Sequence, residues 1–124
     1  MDVVAFNPTK NHLVHIEPSM DADSWKKREG RYKKKFSAGK KYIPKLFKGL
    51  NLPTIIEQIA LLGFAGRGNH NFLGGGQVLL VWDFLEEIMV KLETKRIGKE
   101  AVPEQWPLLR TLQFVANYRN KTST

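Results

Sequence analysis

One stretch of the chain concentrates positive charge, and this limits how the chain folds. Residues 25–48 contain eleven lysines or arginines and a single acid, Glu29, for a net charge of +10, whereas the whole chain of 124 residues carries +8. The other residues therefore sum to −2. Because burial of an unpaired charge is costly, most of this segment must face solvent. The core must come mainly from the rest of the chain.

A narrow aromatic stripe gives the basic segment one face that it can bury. On a helix with 100° per residue, Trp25, Tyr32 and Phe36 lie within about 40° of one another, and basic residues occupy most of the remaining circumference. An acid or serine among residues 21–24 can cap such a helix. Gly30 costs about 1 kcal/mol relative to Ala inside a helix. The pattern predicts a basic helix that docks on the body of the protein through its aromatic side chains.

The flanking sequence predicts short strands before this helix and more helices after it. Residues 3–6 and 12–16 favour β-structure and are separated by turn residues, so they form either a hairpin or an extended arm. The apolar spacing after residue 50 is typical of helices at about 52–62 and 76–95, with a glycine-rich loop between them. A last helix begins near Pro103 or Pro107. We predict that Trp82 lies in the core and that the inward side chains of the last helix are Leu108, Leu109, Leu112, Val115 and Ala116.

These segments together predict a mainly α fold. We expect a single domain over residues 1–124, a bundle of three to four helices with a short N-terminal extended segment or hairpin. Its parts are an arm or hairpin at 1–20, the basic segment at 21–48, a helical body at 49–118 and a frayed tail at 119–124.

Composition narrows the class of partner. The chain has no cysteine, which excludes disulfides and thiolate zinc sites. It also has no secretory leader and no apolar run of about 18 residues, so we expect a cytoplasmic protein without a membrane partner. A sequence pI near 9.8 makes a polyanion the default partner. Nucleic acid is the first candidate, and an acidic membrane surface or an acidic protein is the second. Membrane binding would need a broad apolar face opposite the lysines, and three aromatic residues make only a thin one.

The candidate nucleic-acid contacts are the cations of the basic segment and two residues of the glycine-rich loop. Lysine and arginine neutralise phosphates, and aromatic rings between them either stack on unpaired bases or face the core. The candidates are Lys26, Lys27, Arg28, Arg31, Lys33, Lys34, Lys35, Lys40, Lys41, Lys45, Arg67 and His70.

We expect no enzymatic activity, metal or cofactor. The glycine-rich loop lacks a nucleotide-binding signature, because no Gly-Lys-Ser/Thr or G-x-G-x-x-G pattern occurs in it. His12 and His15 would point to opposite faces of a strand and make a poor metal pair. A small metal-independent nuclease with His70 as general base beside Arg67 is a less favoured alternative.

Three segments resemble a known family: "LPTIIEQIALLGFAGRG", "VLLVWDFLEEIMVKL" and "PLLRTLQFVANYRN". In their order they resemble the small all-helical subunit of type III CRISPR RNA-guided effector complexes, over roughly residues 45–118. The resemblance implies a non-catalytic protein that stacks in copies along a ribonucleoprotein complex and lines the groove for an RNA duplex. Lys26 to Lys41 would then be the basic residues, by position and not by a motif match. RNA is therefore the favoured nucleic acid, and self-association is possible. The alternative is a small inhibitor or adaptor that docks its basic segment on a partner protein.

Overall fold

The computed structural model describes residues 2–64 and 70–119, and the chain divides into two compact units, Met1–Val81 and Trp82–Thr124. The first unit is an α/β fold. A five-stranded mixed sheet consists of β1 (Val3–Asn7), β2 (His12–Ser19), β3 (Glu57–Leu62), β4 (Phe72–Leu73) and β5 (Gly76–Leu80). Its strand order is β1-β2-β3-β5-β4, and the helix α1 (Trp25–Leu46) connects β2 to β3. The prediction of a mainly α helical bundle is therefore wrong.

The N-terminal strands β1 (Val3–Asn7) and β2 (His12–Ser19) form an antiparallel hairpin, one of the two arrangements that the sequence left open. The Asn7 side chain accepts hydrogen bonds from the backbone N–H groups of Thr9 and Lys10, at 3.1 and 3.2 Å. Asn11 takes a positive φ of 48°, a conformation that asparagine tolerates. These local bonds fix the turn and hence the register of the hairpin.

The basic segment forms one continuous helix, α1 (Trp25–Leu46), of 22 residues. The Ser24 hydroxyl caps it by accepting a hydrogen bond from the Lys27 N–H. As predicted, the aromatic stripe docks the helix: Tyr32 and Phe36 are each 1% exposed, and Trp25 packs against the same core. That core also contains Ala60, Leu62 and Leu73 from the sheet.

Part of each of two predicted helices is a strand in the structure. Residues 57–62, placed in a helix at 52–62, form β3 (Glu57–Leu62), which pairs in parallel with β2 and with β5 (Gly76–Leu80). Alternate side chains of β3 are buried, beginning with Gln58. A nearly continuous apolar run satisfies both the helical and the strand period, so periodicity alone does not separate them. Pairing with β2, which lies about forty residues earlier in the chain, decides the outcome.

The end of the glycine-rich stretch is an ordered turn. Strands β4 (Phe72–Leu73) and β5 pair as an antiparallel hairpin across Gly74 and Gly75. Gly74 has a φ of +59°, and a Cβ there would lie 2.5 Å from the Lys33 backbone nitrogen. Its own N–H donates to the Glu29 carboxylate at 3.0 Å. Only glycine allows the turn to approach α1 this closely.

The second unit is helical. It contains most of α2 (Val81–Glu93), the short α3 (Ile97–Glu100) and α4 (Pro107–Arg119), around a core of Met89, Leu92, Val102 and Ala116. The side chain of Gln113 is buried and joins three segments. It accepts from the Val102 N–H at 2.8 Å and donates to the Lys95 and Glu100 carbonyls at 3.0 and 2.9 Å.

Several predicted details of this unit are wrong. The helix expected from residue 76 begins at Val81, because residues 76–80 form β5. Trp82, predicted to be in the core, is 75% exposed. The last helix begins at Pro107, which is one of the two predicted positions. Only part of its predicted inward face is buried. Ala116 and Leu112 pack in the core, whereas Leu108, Leu109 and Val115 are exposed. The predicted frayed tail lies outside the described residues beyond Arg119.

No helix in the described part of the chain is both long enough and apolar enough to cross a membrane.

Candidate nucleic-acid interface

Helix α1 separates its cations into two groups. Three of the ten predicted contact residues on the basic segment, Arg28, Arg31 and Lys35, are bonded to acids of the preceding strand and loop. The other seven are exposed. Sequence reasoning placed all ten on one binding surface, so it missed this division.

Arg28 fastens the start of α1 to the sheet. Its guanidinium is only 3% exposed and donates to the Asp21 side chain at 3.3 Å and to the Asp21 carbonyl at 2.6 Å. It also donates to the carbonyl of Phe64, just after β3. Because these bonds use the fork of the guanidinium inside the protein, Arg28 is a structural residue and not a surface contact.

Arg31 completes this cluster with the same acid and one more. It donates to Asp21 Oδ2 at 2.6 Å and to Asp23 Oδ2 at 3.0 Å. The pKa of Asp21 is lowered to about 2, mainly by the hydrogen bond from the Ser19 hydroxyl. Partial burial opposes this shift, but the Asp23 N–H and the two arginines add to it. Asp21 is therefore ionised at neutral pH, and the charge of Arg31 is compensated.

Lys35 belongs to a buried polar network. Its ammonium donates to Glu17 Oε2 at 3.0 Å, and the Glu17 side chain is fully buried. Burial would raise the pKa of Glu17, but the hydrogen bonds from His15 and Lys35 outweigh burial and lower this pKa to about 2. The same interactions with Glu17 raise the pKa of Lys35 against the effect of its own desolvation. The pair is charged at neutral pH.

The rest of this network fixes the position of the His15 ring. Gln58 Nε2 donates to the Phe36 carbonyl at 2.9 Å and to His15 Nδ1 at 3.2 Å. His15 Nε2 then donates to Glu17 Oε1 at 2.8 Å. Within the described residues, no buried side-chain polar atom lacks a partner. The network is closed and has no position for a substrate, so we assign it a structural role.

The seven remaining lysines form what we call the lysine face: Lys26, Lys27, Lys33, Lys34, Lys40, Lys41 and Lys45. All are exposed, and none forms an ion pair with a carboxylate in residues 2–64 and 70–119. With 100° per residue they span about 140° of the helix. The only acid on α1, Glu29, accepts the Gly74 N–H and is thus held toward the β4–β5 turn. The lysine face therefore carries charge that the described protein does not neutralise.

A seven-residue repeat organises the lysine face. The first row is Lys26, Lys33 and Lys40, and the second row is Lys27, Lys34 and Lys41. Between the rows, also seven residues apart, are Gly30, Ser37 and Pro44, which we call the floor. A rise of 1.5 Å per residue separates successive lysines of a row by about 10 Å. The spacing is visible in the sequence once α1 is known to be continuous through Gly30 and Gly39.

The aromatic side chains of α1 are mostly turned away from this face. Tyr32 and Phe36 are buried, and the Trp25 ring stacks on His70 with centroids 3.9 Å apart and planes 13° apart. Tyr42 is 44% exposed, with the ammonium groups of Lys41 and Lys45 at 5.2 and 5.3 Å from its ring centroid. The core-facing alternative for the predicted stripe is therefore confirmed.

Of the two loop candidates, the structure places only His70. The His70 ring stacks on Trp25, and Arg67 lies outside the described residues. No group of three or more potential metal ligands occurs in residues 2–64 and 70–119. The expectation that the chain is not an enzyme stays a prediction.

Comparison with protein-family models, curated proteins and solved structures finds no match to this chain. The resemblance to an all-helical CRISPR subunit does not agree with the fold, because strands β3 and β5 lie inside the resembling region.

Proposed function

We propose that this chain is a non-enzymatic protein that binds nucleic acid through the lysine face of α1. The separation of cations on this helix is the observation that carries the proposal. Where the fold needs a cation, it provides a carboxylate partner, as for Arg28, Arg31 and Lys35. Within residues 2–64 and 70–119 it provides none on the lysine face. A polyanion outside the chain supplies the missing negative charge.

The start of α1 strengthens this reasoning. The first turn contains Lys26 and Lys27 and no acid. Cations at a helix N-terminus oppose the helix dipole and cost about 0.3–1 kcal/mol each when exposed. The arrangement lowers the stability of the helix but raises the positive potential at this end. That potential favours binding of phosphate.

Binding by lysines has a measurable signature. Each lysine that contacts a phosphate displaces condensed counterions, so log K falls with log salt by about 0.9 per contact on duplex DNA and about 0.7 on single strands. If half or more of the lysine face is engaged, we expect a slope of about −3 to −6. Affinity that does not change with salt would contradict binding through these lysines.

Charge reversal tests the proposal directly. The test variant carries Lys33→Glu, Lys34→Glu and Lys41→Glu, all on the exposed face, and leaves Lys35 intact because that residue is bonded to buried Glu17. We expect a loss of roughly tenfold or more in affinity for a fluorescent oligonucleotide at about 0.1 M salt.

A matched control has the same change in net charge in the second unit. Its substitutions are Lys91→Glu, Lys95→Glu and Lys99→Glu, at three exposed positions. We expect it to bind within about threefold of wild type, because only the long-range field changes. Equal losses in both triple variants would show that net charge, and not the lysine face, determines binding. If wild type binds no nucleic acid but binds an acidic protein, the adaptor alternative replaces this proposal.

A further inference from the structure

The lysine face contains little that could recognise unpaired bases. Proteins that bind single strands stack successive bases on exposed aromatic rings. On α1, Tyr32 and Phe36 are buried and Trp25 is covered by His70. Tyr42 alone is well exposed, and it lies at the C-terminal end of the face between two lysines. One ring does not form a platform for a strand.

The face also contains none of the best base-reading side chains. Arginine, asparagine and glutamine make bidentate bonds to base edges in the major groove. Helix α1 has no asparagine or glutamine, and its two arginines are held by Asp21 and Asp23. The seven lysines are flexible point charges suited to phosphates. Contacts from this face therefore hold the nucleic acid without distinguishing its sequence.

The two rows of lysines fit the two phosphate backbones of a double helix better than the single backbone of one strand. They lie on either side of the floor, about 100° apart around the helix axis. An α-helix with its side chains is about 10–12 Å across, and the major groove of B-form DNA is about 12 Å wide. The rows thus reach the phosphates on both sides of that groove. The major groove of A-form RNA is deep and narrow and does not admit a helix in this way.

The floor allows a close approach. Apart from the backbone of its own helix, no described residue lies within 4 Å of a Cβ placed at Gly30, so packing does not explain why glycine is there. Ser37 and Pro44, the other floor residues, are also small and exposed. In a nucleic-acid complex, small floor residues leave both rows free to extend sideways.

From these observations we propose that the lysine face binds double-helical DNA through the phosphates of both strands and without sequence specificity. This inference rests on the proposed function and names its substrate class. It departs from the sequence-based expectation of RNA.

The first experiment compares ligands on the intact wild-type chain. The probes are two 20-base-pair DNA duplexes of unrelated sequence, a duplex RNA of equal length and a 20-nucleotide single strand, each titrated at several salt concentrations. We expect the two DNA duplexes to bind within about twofold of each other and at least about fivefold more tightly than either other probe. Tighter binding of RNA or of the single strand, or a large difference between the DNA sequences, would overturn the inference while preserving nucleic-acid binding. Failure of all four probes would remove the proposed function itself.

The second experiment tests the two-row geometry. One variant replaces the first row (Lys26→Gln, Lys33→Gln, Lys40→Gln), and the other replaces the second row (Lys27→Gln, Lys34→Gln, Lys41→Gln). Each change should reduce the salt slope on duplex DNA by about 2 to 3, because up to three phosphate contacts are lost. Circular dichroism confirms that each variant is folded. A folded row variant that keeps the wild-type slope and affinity would contradict contact with both strands.

Discussion

The two glycines inside α1 provide a sharp test of how this helix docks. Gly30 is exposed, whereas Gly39 is buried against the polar network. A Cβ at Gly39 would lie 2.4 Å from His15 Nδ1, 2.5 Å from His15 Cε1 and 3.3 Å from Gln58 Nε2. An ordinary contact is about 1 Å longer than the shortest of these distances. Either the helix or the His15 ring must therefore move by about that much.

Either movement lowers the free energy of unfolding. The ring is bonded to Glu17 and Gln58, and displacing it would break buried hydrogen bonds that cost about 1–3 kcal/mol when left unsatisfied. Moving the helix overpacks the core at a cost of about 1–3 kcal/mol. Alanine stabilises a helix by about 1 kcal/mol relative to glycine, and this offsets part of the loss. Because only one of these movements is needed, we expect Gly39→Ala to lower the free energy of unfolding by about 1 kcal/mol, a loss of about 2 kcal/mol less the gain of about 1 kcal/mol.

Gly30→Ala is the matched control, because it makes the same chemical change in the same helix without a clash. We expect it to raise the free energy of unfolding by about 0.5–1 kcal/mol. Urea unfolding followed by circular dichroism at 222 nm measures both variants against wild type. If Gly39→Ala is as stable as Gly30→Ala, the close packing of α1 on His15 is wrong.

Substitutions at three further residues test the remaining structural assignments. The pKa of Glu17 is about 2 in the folded protein, against an ordinary value of 4.5. Ionised Glu17 therefore stabilises the fold fully above about pH 4.5, and this contribution to the free energy of unfolding, at most about 3 kcal/mol, is lost as the pH falls toward 2. Glu17→Gln should remove that part of the pH dependence of unfolding, and an unchanged profile would contradict the bond to Lys35. Arg28→Met should destabilise by about 3 kcal/mol, since it removes the guanidinium bonds to the Asp21 carboxylate and to the carbonyls of Asp21 and Phe64. Arg28→Lys should not fully restore stability, and recovery by lysine would refute the role of the guanidinium fork. Gln113→Ala should cost about 2 kcal/mol through three lost hydrogen bonds, and thermal unfolding of the variant measures this loss.

The sequence predicted local features better than pairings between distant segments. The hairpin at the N-terminus and the docking stripe of α1 depend on neighbouring residues, such as the Asn7 turn and the spacing of Tyr32 and Phe36. Strand β3 was predicted as a helix because its apolar residues fit both periods. Its neighbours β2 and β5 are separated from it by α1 and by the glycine-rich stretch. No local pattern encodes that pairing.

In the candidate site, too, local features were predicted better than contacts between distant segments. Charge density correctly indicated that α1 carries an exposed basic surface, yet it did not separate Lys34 from Lys35. The difference depends on Glu17, a strand residue that faces the helix and bonds to Lys35. Acids at Asp21 and Asp23 were read only as possible helix caps. Their pairing with Arg28 and Arg31 needs the strand–helix geometry.

The central claim is that the lysine face of α1 binds the nucleic acid. The most direct measurement is a set of ¹H–¹⁵N spectra of the 14.2 kDa chain, recorded while an unlabelled 20-base-pair DNA duplex is added. We predict that the largest shift changes occur between Lys26 and Lys41, at the amides of the two rows and of the floor residues Gly30 and Ser37. The amides of Lys91, Lys95 and Lys99 in the second unit should change little. Changes concentrated in the second unit, with α1 unaffected, would contradict the account.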